Sequence, residues 1–230
     1  LQSNGSTVHK FVVNKYGKYA GSSLKSSFSP AGGRIDNTIN FGSEVNQASL
    51  TSDLTVTGIL DINAGSLKIN GHTLNVTNNI NIYGNLIMDN AADVINGGYQ
   101  IVWFAGSTEQ VSAGTINLDY RMVFNDGSNI QIGSGNTLNL IGSGTTAIRN
   151  FSPVAELGNL NVAMPPSSGT CFISHSTTYP VVVSGDLNVY NDNYFHIQEY
   201  DVFVGGDMGI AAGATVELGS IAGPGYLSVD

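Results

Sequence analysis

A three-residue unit, apolar–polar–apolar, recurs along most of this chain. It stands at Leu54-Thr55-Val56, Leu60-Asp61-Ile62, Leu67-Lys68-Ile69, Leu74-Asn75-Val76 and Ile80-Asn81-Ile82. It returns at Ile116-Asn117-Leu118, Leu138-Asn139-Leu140, Leu160-Asn161-Val162, Leu187-Asn188-Val189 and Val216-Glu217-Leu218. Alternation with period two is the signature of a strand whose outer two side chains share one face. The short stretches between units usually contain Gly, Asn or Asp, residues that tolerate the positive φ of sharp turns.

A longer period orders these units. Gly71-His72-Thr73-Leu74-Asn75-Val76 reappears as Gly135-Asn136-Thr137-Leu138-Asn139-Leu140. Leu54 and Leu74 are 20 residues apart, Ile116 and Leu138 are 22 apart, and Leu187 and Met208 are 21 apart. Three short strands and three turns fit that length. The pattern therefore predicts an all-β chain, a parallel β-helix (β-solenoid) of about 20–22 residues and three short strands per coil. Leu54, Leu74, Leu138, Leu160, Leu187 and Val216 are expected inside. In such a stack each coil covers its neighbours, and stability accumulates coil by coil. The repeat lapses over residues 90–115 and 141–157, where longer excursions are expected. Asn96-Gly97-Gly98-Tyr99 and Pro165-Pro166-Ser167-Ser168-Gly169 read as loops leaving the coil.

The solenoid reading covers residues 46–230. Residues 1–45 lack the regular triplet and form a separate N-terminal segment. Their charge differs too: residues 1–34 sum to +5, and the rest of the chain to −14. Two readings fit this segment. One is a cap folded over the first coil, since a solenoid end otherwise exposes apolar side chains and unpaired backbone. The other is an assembly arm docking on another subunit, with Val8, Lys10, Phe11, Val13, Lys15, Tyr16 and Lys18 as its contacts. A head-to-tail contact of that kind builds an open filament when its rotation closes no ring.

The phrases Leu67-Lys68-Ile69-Asn70-Gly71-His72-Thr73-Leu74-Asn75-Val76 and Gly84-Asn85-Leu86 resemble the degenerate repeats of large secreted bacterial surface proteins. These are adhesin-like or filamentous-haemagglutinin-like β-helical proteins of Bacteroidetes-type lineages. The resemblance spans roughly residues 50–140 and 180–230. It implies export, an extracellular or cell-surface location, and a role in attachment or assembly. It carries no functional residues over to this chain.

Composition narrows the partners. Charged residues make up 11% of the chain, against roughly a quarter in ordinary soluble domains. The net charge of −9 argues against nucleic acid, which needs a basic surface. No apolar run approaches the roughly 18 residues of a membrane-spanning helix, so no membrane insertion is expected. The remaining partners are a second copy of the chain, other surface proteins, or glycans.

The search for chemistry finds no catalytic residues, no metal ligands and no cofactor site. The lone Cys171 reads as a small buried apolar residue. Asp186 and Asp207 hold equivalent places in the repeat and could face one groove like a carboxylate pair. Their setting in Gly-Asp turns points instead to service of the backbone. His72 falls in a turn and His196 at the outward position of a strand. The candidate binding surface is aromatic: Tyr190, Tyr194, Tyr200 and Phe203, around the inward-reading Phe195. The expected function is a non-catalytic structural or adhesive solenoid. The alternatives are a carbohydrate-binding module or a polysaccharide-degrading β-helix enzyme.

Overall fold

The computed structural model describes residues 11–13, 34–35, 39–41, 48–62, 66–165, 170–173, 178–190, 192–197, 201–219 and 227–229. Every described element is a β-strand, and every strand pair is parallel. One coil consists of Leu54–Val56, Leu60–Ile62 and Ser66–Lys68. The next coil repeats the order with Thr73–Val76, Ile80–Ile82 and Asn85–Met88. Strands at equivalent places stack into three faces. The first face has nine strands and the second has ten. The third is divided into two four-stranded sheets. The chain is thus a three-sided parallel β-solenoid.

The inward columns follow from the triplet. On the first face the register runs Leu54, Leu74, Ile95, Ile116, Leu138, Leu160 and Leu187. All seven side chains are buried. Val216 belongs to the second face and is only partly buried; among the described residues its strand pairs with Tyr194–Ile197 alone. The second face adds Trp103 and Phe124 side by side, the largest fully buried side chains of the core. The Trp103 indole N–H points at the Met122 sulfur, 3.3 Å away. Burial of this kind contributes roughly 25 cal/mol per Å² of apolar surface.

The two expected excursions are largely regular coil. Val94–Gly97, Gln100–Trp103 and Thr108–Val111 continue the three faces in register. Asn96-Gly97 closes a strand, and Gly98-Tyr99 makes a tight corner instead of a loop. The repeat is hard to read there because Gly97 takes an inward place with no side chain. The space goes to Leu118, whose Cδ1 would lie 3.0 Å from a Cβ on Gly97. In the second stretch, Thr146–Asn150 continues the second face with polar residues inward. Thr146 and Asn150 are both buried. Asn150 stands in line with Trp103 and Phe124, and its side chain is satisfied. It accepts the Ser152 N–H at 2.9 Å and donates to the Pro180 carbonyl at 2.6 Å. Residues 166–169 of the Pro165–Gly169 stretch lie outside the described residues.

The third face changes sheet at Ile130–Ile132. Gln131 makes an isolated parallel bridge with Glu156 of the second sheet, and toward the first sheet the Gly133 N–H donates to the Val111 carbonyl at 2.8 Å. The Gln131 N–H donates to the Glu109 carboxylate of the preceding coil at 3.0 Å. A side chain there takes a donor that would otherwise extend the ladder, so the third strand of this coil shrinks to a bridge.

Turns impose their own residue choices. Gly114 sits at φ 84°, and a Cβ there would lie 2.5 Å from the Asp93 carbonyl oxygen. Asp93 is fully buried. Its carboxylate accepts the N–H of Gly71 from the previous coil and that of Asn90 from its own turn.

Leu138 lies between Ile116 and Leu160 in the inward column. Leu138→Ala is expected to cost about 2–5 kcal/mol in urea unfolding. Leu138→Asp is expected to abolish the folded state, because it buries a charge with no partner. A folded, stable Leu138→Asp protein would contradict the assigned column.

Candidate functional site

The outward side of the first face carries a ladder of amides. Register aligns Thr55, Asn75, Asn96, Asn117, Asn139, Asn161 and Asn188. Each amide nitrogen from Asn96 to Asn161 donates to the amide oxygen one coil earlier at 2.7–2.8 Å. Asn188 continues the ladder at 3.2 Å, and Asn75 reaches the Thr55 hydroxyl at 3.5 Å. Gly209 follows Asn188 in register. Any Cβ there would fall on the Asn188 Oδ1 atom, so the ladder ends at that glycine. Like residues at like positions bond because the strands are parallel and in register. The ladder spends much of its polar capacity on itself, which suits a stiff rod.

A second ladder runs along the corner that opens the first face. Asp53 Oδ1 accepts the Thr73 N–H at 2.8 Å. Asn159 Oδ1 accepts the Asp186 N–H, and Asp186 Oδ1 accepts the Asp207 N–H, both at 2.9 Å. Asp186 therefore serves the backbone of the next coil, as its Gly-Asp setting implies. Asn136 and Asn159 reach the other way, donating to carbonyls of the preceding turn at 2.8 Å and 2.6 Å.

The predicted aromatic surface is distributed around the rod. Tyr190 is exposed at the corner after the first face. Tyr194 lies on the second face, half-buried, with its ring edge against His196 at 5.9 Å. Phe203 is exposed on the third face. Tyr200 lies outside the described residues. In the N-terminal segment, the backbone of Phe11–Val13 pairs in parallel with Ile39–Phe41, and Arg34–Ile35 pairs with Thr55–Val56. Val8, Lys10, Lys15, Tyr16 and Lys18 lie outside the described residues.

The two described histidines have local partners. His72 stands 3.8 Å from the Asp53 carboxylate. His196 lies 2.8 Å from the Gly219 carbonyl oxygen and 3.9 Å from Glu217. No group of three or more His, Cys, Asp or Glu residues able to hold a metal ion occurs among the described residues. Cys171 is fully buried. Burial pushes its thiol up to about 12, partly offset by a hydrogen bond with Thr146.

A third aromatic arrangement was not singled out by the sequence pattern. Tyr83 stacks on Phe104 with centroids 4.0 Å apart, and Tyr99 stacks on Tyr120 at 4.7 Å. The Arg121 guanidinium lies over the Tyr120 ring, 4.5 Å from its centroid. The signal was present as recurrence at the coil period: each pair is 21 residues apart, one coil, and at the same corner.

These features define the class, a parallel β-solenoid with outward amide ladders and stacked aromatic corners. No protein family, curated protein or solved structure matches the chain.

Cys171 should resist thiol-specific reagents at mildly alkaline pH and react fully once the chain is unfolded. The sign of its pH linkage follows from the raised value. Between 9.0 and about 12, the unfolded chain loses the thiol proton while the folded one keeps it, so stability falls as pH rises. Cys171→Ala should flatten that part of the decline. Rapid labelling of the folded protein would contradict the burial.

Proposed function

We infer that the chain is a non-catalytic structural or adhesive rod of the cell surface, extended by head-to-tail stacking of copies. An amide ladder that bonds to itself along the first face and a low charge content suit a spacer that presents surface without doing chemistry. The resemblance of its repeats to secreted adhesin-like proteins supports export. The observation that carries the stacking is the charge asymmetry along the chain, a basic segment 1–34 ahead of an acidic remainder.

Charge supplies the direction. The segment 1–34 carries +5 and the remainder −14, so the positive end of one copy is drawn to the negative rod of the next. That attraction is screened beyond about 8 Å at physiological ionic strength. Assembly should therefore weaken with added salt.

Deleting residues 1–34 should leave a folded rod that no longer assembles, as read by sedimentation and electron microscopy. Polymerisation of the truncated protein would refute the docking role, and so would a monomeric full-length protein at high concentration and low salt. For the non-catalytic part, Asp186→Asn and Asp207→Asn should each cost no more than about 1 kcal/mol, since the amide oxygen at 186 still accepts the Asp207 N–H and the Asp207 side chain is exposed. A polysaccharide hydrolase or lyase activity abolished by either change would overturn it.

A further inference from the structure

Arg121 and Arg149 are, with Lys68, the only cations after Arg34. Lys68 is matched by Asp89 at 2.7 Å. Neither arginine is paired with a carboxylate among the described residues. They lie instead beside each other. Register pairs Arg121 with Ala147 and Val123 with Arg149 on adjacent strands of the second face. The two arginines thus hold opposite corners of one outward square, within mutual reach for long side chains. The Nε atoms of both are buried and have no hydrogen-bond partner. Arg149 is pushed below the usual guanidinium range, first by burial and then by the charge of Arg121. In a chain with acids to spare, two adjacent guanidiniums without a carboxylate partner are an unfavourable arrangement that one bound oxyanion, met by their terminal N–H groups, would relieve.

The surroundings say more about the ligand. Val102, Val123 and Ala147 point outward by alternation and lie outside the core cluster, yet are only 7%, 8% and 6% exposed. They give the patch an apolar floor. Tyr120, under Arg121, accepts a hydrogen bond from Arg121 Nη2 at 2.5 Å. Tyr99, stacked on Tyr120, is 44% exposed and forms a wall with a free edge or face. An arginine fork matches a carboxylate in bidentate geometry, while tyrosine rings and an apolar floor suit the C–H faces of a sugar.

We propose that Arg121 and Arg149, floored by Val123 and Ala147 and walled by Tyr99 and Tyr120, form a binding site for a sugar carboxylate, a single uronic-acid residue within an otherwise neutral glycan. The −14 carried by residues 35–230, with Asp119 next to Tyr120, disfavours a polyanion such as nucleic acid or a fully charged polyuronide. This site names a ligand for the adhesive reading and rests on it. Its test reads sugar binding, whereas the stacking test reads sedimentation, so the two fail separately.

The test is a ligand-observed NMR titration of the full chain with methyl glucuronoside, methyl glucoside and sodium acetate. The uronide should bind at least about tenfold more tightly than either control, the worth of one charge-assisted hydrogen-bond set. Arg149→Gln and Arg121→Gln should each lose about tenfold or more, and Arg149→Lys should lose part of that. If an arginine variant fails to fold, Tyr99→Ala decides: it alters an exposed ring and should weaken the uronide without changing acetate. Equal binding of uronide and glucoside would overturn the site. So would acetate binding as tightly as the uronide, absence of uronide binding, or folded variants that bind like the wild type.

Discussion

No coil of this protein buries its own apolar face. Each lays two or three short strands around a shared interior and depends on the coil above and below to cover it. That single requirement fixes the register. Leu74 must meet Leu54 on one side and Ile95 on the other, and a one-residue slip would turn each inward column out to solvent. Everything polar on the surface inherits this register. Asparagines one coil apart bond only because the leucines beside them stack, and Asp186 meets the Asp207 amide for the same reason.

Where the interior departs from leucine, isoleucine and valine, the outside changes too. Trp103 and Phe124 fill the second face, and Asn150 takes the next place in their column. Its buried amide ties Ser152 and the Pro180 carbonyl together, so the turn there is held by hydrogen bonds instead of apolar contact. The same part of the second face carries Arg121 and Arg149 outside. A regular ladder leaves little polar capacity free for a ligand. Among the described residues, the two arginines without a carboxylate partner lie where the ladder pattern is broken, and this is the physical reason to look for binding there.

The fold was legible because its signal is repeated: six of the seven inward leucines and isoleucines of one column appear in sequence as the first residues of like phrases. The parts that escaped were those where the inward residue was not apolar. Gly97 is inward with no side chain, and Thr146 and Asn150 are inward and polar, so the triplet disappeared although the strand did not. The backbone role of Asp186 could be read from its Gly-Asp context. The arginine pair could not, because Arg121 and Arg149 are 28 residues apart, off the coil period. They meet only because one sits at the start of its strand and the other near the end. Aromatic residues close in sequence, such as Tyr190, Tyr194 and Phe203, are spread over the corner and two faces. In a solenoid, proximity follows the coil period and not the local crowding of a residue type.

The central claim is that sequence advances one strand spacing along the rod per coil. It is tested most directly by spin-label distances between outward ladder positions in a Cys171→Ser background. Thr55 and Asn139 are four spacings apart in the ladder, and Thr55 and Asn188 are six. At about 4.8 Å per spacing, labels at Thr55→Cys/Asn139→Cys should lie about 19 Å apart, and those at Thr55→Cys/Asn188→Cys about 29 Å. Distances that fail to grow with coil number, as hairpins folding back on themselves would give, would contradict the solenoid.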